Sequence, residues 1–122
     1  MSTLWAFPGQ GAQQPGMLHA LPEAPVVQAC IEQASAALNE DVRRLDSAEA
    51  LQNTRAVQLC LLIAGVAAAR LLSERGHRPD YVAGLSIGAY VASVVAGSLE
   101  FADAVRLVAL RGELMQLSLI HI

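Results

Sequence analysis

The sequence has few cysteines, and they form no cluster. Cys30 and Cys60 stand far apart, without a Cys-x-x-Cys pair or neighbouring histidines. A disulfide framework or a zinc site needs cysteines at short, recurring spacings, so neither is predicted. We expect no bound metal, and we expect a reducing compartment, the cytoplasm, as the location of the protein.

Positive charge is also scarce. Eight Lys and Arg residues stand against eleven Asp and Glu, which gives a formal net charge of −3. Such a chain offers no basic patch for nucleic acid or for an anionic membrane, so neither is expected as a partner. No charged segment followed by an apolar one opens the chain, and no secretory signal is therefore predicted.

A run long enough to cross a membrane is lacking as well. Between Arg55 and Arg70 the chain has fourteen residues without a charge. As a helix they would rise only about 21 Å, against the ~30 Å of a hydrocarbon core. Gln58 also interrupts the run. The pattern, which continues to Arg75, therefore predicts a buried core helix.

Apolar residues are abundant and make up 54% of the 122 residues. This share is above the usual range for a self-contained soluble domain. A parallel α/β sheet is buried on both faces, so part of such a fold would have this composition. Helices are predicted at residues 26–38, 55–75, 87–96 and 101–116, with a short buried strand at residues 3–7 and a second strand starting at Tyr81.

One stretch combines a strand, a turn and a helix. After a short apolar run comes Gly84-Leu85-Ser86-Ile87-Gly88, followed by an Ala- and Val-rich segment. This is the sequence form of a nucleophile elbow, in which the serine stands at the tip of a tight turn. The turn would place Ser86 at a helix N-terminus, where unpaired N–H groups, that of Ile87 among them, face an oxyanion. The alternative is a glycine-rich turn with an incidental serine.

A second glycine-rich segment follows the first strand, at residues 8–16. Gly9 and Gly11 fit the first two positions of Gly-x-Gly-x-x-Gly, but Gln14 occupies the third and no Gly-Lys-Ser/Thr follows. This spacing disfavours a phosphate-binding loop. Gln10 is the more informative residue, because an amide on a tight loop can hydrogen bond near a reacting carbonyl. The alternative is a turn glutamine that binds local backbone.

Arg111 is unusual on the last predicted helix. On a helical wheel it lies about 60° from the centre of the apolar stripe, between Leu107 and Met115 and away from the polar side. A guanidinium there could face a cleft and bind a carboxylate through two parallel hydrogen bonds. The alternative is a boundary arginine whose stem covers apolar surface while its head reaches water.

Together these segments resemble the malonyl-CoA:acyl-carrier-protein transacylases, a family of acyltransferases. The resemblance runs from residue 3 to residue 116. It rests on Phe-Pro-Gly-Gln-Gly-Ala-Gln at residues 7–13, Gly-Leu-Ser-Ile-Gly at residues 84–88, and Phe-Ala-Asp-Ala-Val-Arg-Leu with Arg-Gly-Glu-Leu-Met-Gln at residues 101–107 and 111–116. It implies an α/β fold, a partial α/β-hydrolase-like acyltransferase core with a parallel sheet.

The resemblance implies a role for each of four candidate residues. Ser86 would take a malonyl group from malonyl-CoA as an acyl-serine and pass it to the phosphopantetheine-type thiol of an acyl carrier protein. Gln10 and the N–H of Ile87 would form the oxyanion site, and Arg111 would hold the malonyl carboxylate. No bound cofactor is implied, and the CoA thioester and the carrier protein are the implied partners.

Two positions depart from the commonest family pattern, in which a histidine precedes the serine and a glutamate follows the second glycine. Leu85 and Ala89 stand there in this chain. With Thr-Arg-Ala-Val-Gln-Leu at residues 54–59, the pattern resembles the epsilon subunit of malonate decarboxylase, which charges the prosthetic group of a carrier subunit with malonyl. We expect that type, with the fatty-acid-synthesis transacylase as the alternative.

The catalytic histidine of the family lies well downstream of the serine, and the matching segment is not present here. We interpret residues 1–116 as the N-terminal part of an acyltransferase domain, without its smaller inserted subdomain and C-terminal part, and residues 117–122 as a tail unlike the family. His121 is the only histidine after Ser86, whereas His19 and His77 precede it and are expected to be solvated. We expect the isolated chain to be inactive, because a serine without a base is a weak nucleophile.

Two other classes remain open. A serine hydrolase of the lipase or esterase type shares the elbow, but it needs neither Arg111 nor Gln10 and releases the acid to water. A noncatalytic assembly module would need no base. Formation of an acyl-serine separates this module from the two enzymes, and transfer to a thiol separates the transacylase from the hydrolase.

Overall fold

Two parallel strands bring two loops to one edge of the fold. The computed structural model describes the backbone of residues 1–121 and the side chains of residues 1–118. Strand β1 (Leu4–Phe7) lies beside β2 (Tyr81–Gly84), with Leu4 opposite Tyr81 and Phe7 opposite Gly84. Because parallel strands run in the same direction, the loop after β1 and the turn after β2 meet at the same edge.

The two strands are less buried than the sequence predicts. Along both strands, exposed residues alternate with half-buried ones, and Leu4 is 58% exposed. Phe7 packs against the core from the covered face. The prediction of a buried strand at residues 3–7 is therefore wrong, because only one face of this two-stranded part of the sheet has helices over it.

Four α-helices form the rest of the described fold. They are α1 (Pro25–Leu38), α2 (Thr54–Glu74), α3 (Ile87–Val95) and α4 (Phe101–His121), and short 3₁₀ helices at Val42–Asp46 and Ala50–Gln52 connect α1 to α2. The first three helices lie within one residue of their predicted bounds. Helix α4 continues past the predicted end at residue 116, because no glycine or proline follows to stop it. Residue 122 and the side chain of His121 lie outside the described part.

Helix α2 forms the centre of the core and packs against each of the other three helices. By length and composition it could cross a membrane, but 67% of its most apolar stretch is buried within the fold. Leu59, Leu62 and Ile63 are inaccessible to solvent. These residues confirm the predicted buried core helix. It begins at a side-chain cap, where Asn53 accepts a hydrogen bond from the N–H of Ala56.

Both cysteines are buried free thiols. Burial raises the pKa of Cys30 to about 11 and the pKa of Cys60 to about 12. Each is therefore a neutral side chain that packs as a small apolar residue in the core.

Candidate active site

Ser86 lies in the turn between β2 and α3, with its side chain exposed. Its backbone has φ 56° and ψ −120°, a conformation that residues with a Cβ rarely adopt and that costs roughly 1–3 kcal/mol. As the residue before α3, it stands at the positive end of that helix. The next residue, Ile87, opens the helix, so its N–H has no carbonyl partner one turn earlier.

Two glycines allow the backbone to turn so sharply at this point. A Cβ on Gly84 would overlap the backbone of Gly88, and a Cβ on Gly88 would overlap the carbonyl oxygen of Phe7. The turn is therefore pressed against the end of β1 as well as against its own helix. No residue larger than glycine fits either position without moving Ser86.

Arg111, at the middle of α4, binds the serine directly. Its Nη2 donates a hydrogen bond to Oγ of Ser86 over 2.8 Å, and its Nη1 donates to Oε1 of Gln58 over 2.6 Å. Its Cζ also lies 5.5 Å from the centre of the Tyr90 ring, within range of a cation–π interaction. The guanidinium is therefore held by protein groups, and the alternative of a boundary arginine reaching only water does not describe it.

Gln10 joins the same network through Gln58. The Nε2 of Gln58 donates to Oε1 of Gln10 over 3.0 Å. Gln10 is exposed, whereas Gln58 is inaccessible to solvent. Gln10 is thus tied to α2 rather than to its own turn. A chain of hydrogen bonds then runs from the loop after β1, through Gln58 and Arg111, to Ser86.

Gln58 was not among the candidate residues from the sequence. It stands in the segment at residues 54–59 that carries part of the resemblance, and it interrupts the uncharged run of α2, where it is the one amide among apolar residues. A glutamine buried on a core helix has to find hydrogen-bond partners, since burying a polar group unpaired costs roughly 1–3 kcal/mol. This need for buried partners was the feature of the sequence that could have identified Gln58 as part of a polar site.

Helix α4 is held against the start of α2 by the residues that follow Arg111. A Cβ on Gly112 would lie 2.5 Å from Cα of Arg55, so the two helices touch at backbone distance. Glu113 lies 3.4 Å from Nε of Arg55. Gln116 accepts a hydrogen bond from the N–H of Thr54 over 3.0 Å. The segment at residues 112–116 therefore fixes the position of Arg111 relative to α2.

The histidines whose side chains are described do not bind Ser86. Nδ1 of His19 lies 2.7 Å from Oδ2 of Asp46, which is buried and also accepts from the N–H groups of Leu18 and His19. His77 is exposed in the loop after α2. His19 has a 60% exposed side chain, as expected for a solvated residue, whereas its carboxylate partner was not predicted.

The site therefore brings together a hydroxyl, a guanidinium and the free N–H of Ile87. The oxygen of Ser86 can attack an electrophile, the guanidinium can bind an anion, and the N–H of Ile87 can stabilise negative charge beside the serine. Among the residues described, no group of three or more His, Cys, Asp or Glu side chains could hold a metal ion.

The chain matches known proteins over nearly its whole length. The model of the acyl transferase domain family matches residues 4–119. Malonyl CoA-acyl carrier protein transacylase of Escherichia coli K12 is 44% identical over 117 residues, and the Synechocystis protein of the same name is 39% identical. These alignments cover 92% and 94% of this chain but 38% and 40% of the relatives, so the chain spans about two fifths of their length.

Solved structures agree with this match. The malonyl CoA-acyl carrier protein transacylase of Coxiella burnetii superposes with a TM-score of 0.88 at 42% identity, covering 95% of this chain and 38% of that one. A malonyl-transacylase solved in complex with a type II polyketide synthase acyl-carrier protein superposes with a TM-score of 0.87, also at 42% identity, covering 95% and 39%. The chain belongs to the acyl transferase domain family.

Proposed function

We propose that the protein containing this chain transfers malonyl groups from malonyl-CoA to the thiol of an acyl carrier protein. Ser86 is the nucleophile, and an acyl-serine is the intermediate. The observation that carries the proposal is the contact between Arg111 and Ser86, because it places a carboxylate-binding cation beside a hydroxyl at a helix N-terminus.

The acylation step exchanges one bond of the thioester carbon for another. Oγ of Ser86 forms a bond to the thioester carbon, the carbon–sulfur bond breaks, and CoA leaves as a thiol with the proton that the hydroxyl carried. Transfer to the carrier is the reverse reaction with a different thiol, which takes the acyl group and returns its proton to Ser86. The resemblance assigns proton transfer to a histidine that this sequence does not supply.

The turn after β2 supports this step electrostatically. While Oγ attacks, negative charge develops on the thioester oxygen. The N–H of Ile87, at the start of α3, and the amide of Gln10 are the donors that we assign to this oxygen. Gln10 has its oxygen bound to Gln58, which leaves its NH₂ group to face the substrate.

Arg111 supplies the selection of the acyl group. A malonyl thioester carries a free carboxylate, and a guanidinium binds a carboxylate through two parallel hydrogen bonds. Arg111 already donates to Oγ of Ser86, so a carboxylate bound to it lies within a few bonds of the reacting carbon. An esterase would have no use for a cation at this position.

The names of the relatives support an acyl carrier protein as the acceptor. One similar malonyl-transacylase was solved in complex with such a carrier. The finer assignment to the malonate decarboxylase type stays a prediction. It rests on Leu85, Ala89 and the segment at residues 54–59, and Leu85 is 83% exposed beside the serine. Parallel assays with a free acyl carrier protein and a malonate decarboxylase carrier subunit distinguish the two types. We expect the protein to act in the cytoplasm.

Trapping the intermediate tests the proposal. The whole protein that contains this chain is mixed with malonyl-CoA without a carrier, digested, and analysed by mass spectrometry. We expect a malonyl group on the peptide that holds Ser86, and none in Ser86→Ala. Ser98→Ala, which changes an exposed serine between α3 and α4, is the matched control and should still be labelled. Transfer that survives in Ser86→Ala would refute the assignment.

A further inference from the structure

Arg111 binds two acceptors whose surroundings differ. Gln58 is inaccessible to solvent, whereas Ser86 is exposed. If the guanidinium left Gln58, a buried amide oxygen would lose its partner, which is costly. If it left Ser86, water could bind the free hydroxyl instead. The hydrogen bond to Gln58 therefore holds Arg111 in place. The hydrogen bond to Ser86 is the one that can be replaced by another partner.

The exchangeable contact occupies the atom that has to react. Oγ of Ser86 must direct a lone pair at the acyl carbon, and the Nη2–H of Arg111 binds that oxygen over 2.8 Å. A charged donor on a nucleophilic oxygen withdraws electron density and lowers its reactivity. A carboxylate is a better partner for the guanidinium than a hydroxyl is, because it accepts two charge-assisted hydrogen bonds.

We propose that Arg111 holds Ser86 in a less reactive state until a carboxylated thioester draws the guanidinium away. This inference rests on the function proposed above. Arg111 then selects the substrate twice, first by binding the carboxylate and then by releasing the nucleophile only for acyl groups that carry one. An acetyl thioester meets a serine that is still hydrogen bonded to Arg111.

The reactivity of Ser86 toward a small uncharged reagent tests the restraint. Phenylmethanesulfonyl fluoride bonds its sulfur to Oγ, and fluoride and the hydroxyl proton leave. Intact-protein mass spectrometry then gives the rate constant. In the whole protein, Arg111→Met should be labelled about tenfold to a hundredfold faster than wild type, which is the effect of removing one charged hydrogen bond.

Arg106→Met is the matched control. Arg106 lies on the same helix, is exposed, and pairs with Asp103. Its loss removes a positive charge from α4 without touching Ser86, so its labelling rate should equal that of wild type. Peptide mapping confirms that the label is on Ser86.

A second arm of the experiment needs no substitution. Malonate offers carboxylates to Arg111, and malonamide has the same skeleton without charge. Malonate should speed the labelling of the wild-type protein and malonamide should not. Neither compound should alter the labelling of Arg111→Met.

Two results would overturn the inference. One is labelling of Arg111→Met that is no faster than wild type, and the other is wild-type labelling that malonate does not speed, even in a protein that transfers malonyl. Faster labelling of Arg111→Met in a protein without malonyl transfer would uphold the restraint and refute the proposed function alone.

Discussion

At the scale of single residues, Gln58 connects the two sides of the site. Its amide donates to Gln10 on the loop after β1 and accepts from Arg111 on α4. Solvent does not reach it. Because the NH₂ group and the oxygen of this amide are both hydrogen bonded, neither Gln10 nor Arg111 can shift without breaking a hydrogen bond to a buried group.

Replacing Gln58 should therefore impair malonyl transfer. Gln58→Leu removes a hydrogen bond to a charged group, worth about 1.5–3 kcal/mol, so kcat/KM for malonyl-CoA should fall about 10- to 100-fold. The value for acetyl-CoA should fall less, because no carboxylate depends on Arg111. Gln33→Leu is the control, since Gln33 accepts a hydrogen bond from Arg70 at the surface. Equal effects of the two substitutions would contradict the role of Gln58.

The residues of the site differ in how far the sequence predicts them. Four of them stand in recognisable motifs, so a chemical role could be predicted for each: Ser86, Ile87, Gln10 and Arg111. These roles stay predictions. The hydrogen-bond partners of Gln58 could not be predicted, because Gln10 is 48 residues away from it in the sequence and Arg111 is 53 residues away. Helical periodicity shows that such a residue faces inward, but not what it meets there.

At the scale of helices, the contact between α4 and α2 sets the position of Arg111. Gly112 touches the backbone of Arg55, and Gln116 binds the N–H of Thr54 at the start of α2. Arg55 in turn pairs with Glu40 over 2.9 Å, which links this contact to the end of α1. A change that separates α4 from α2 therefore moves the guanidinium.

Gly112→Ala should show this coupling. The added methyl would lie 2.5 Å from Cα of Arg55, so α4 has to move away, and we expect a loss of roughly 1–3 kcal/mol in unfolding free energy. The ratio of kcat/KM for malonyl-CoA to that for acetyl-CoA should also fall. In Gly65→Ala the methyl meets Val91 side-chain atoms instead, so stability should fall while the ratio holds. An unchanged ratio in Gly112→Ala would show that Arg111 does not depend on this contact.

The sequence predicts helices better than it predicts burial of the strands. Apolar spacing within a single segment is enough to locate α1, α2 and α3. Burial of β1 depends on what lies over both faces of the sheet, which is not local information. The end of α4 was missed because residues 117–120 are compatible with a helix, and the expected end came from the motif rather than from a stop signal.

At the scale of the whole molecule, the fold is retained where less than half of the sequence is identical. The two solved structures described above superpose closely although each is only 42% identical to this chain. Part of the high apolar content of the chain lies on its surface. Four leucines on α4 are about half exposed, namely Leu107, Leu110, Leu114 and Leu117. Arg111 projects beside this apolar face.

In the proposed function, Arg111 beside Ser86 makes this a site for malonyl rather than for uncharged acyl groups. The most direct measurement is kcat/KM for malonyl-CoA and acetyl-CoA in the whole protein, with Arg111→Ala, Arg111→Lys and the control Arg106→Ala. Loss of a bidentate pair should lower the malonyl value by a factor on the order of 10² to 10⁴ and spare or raise the acetyl value. Arg111→Lys should recover only part, because an ammonium cannot form the same paired hydrogen bonds. A malonyl-to-acetyl ratio in Arg111→Ala equal to that of wild type would contradict the claim.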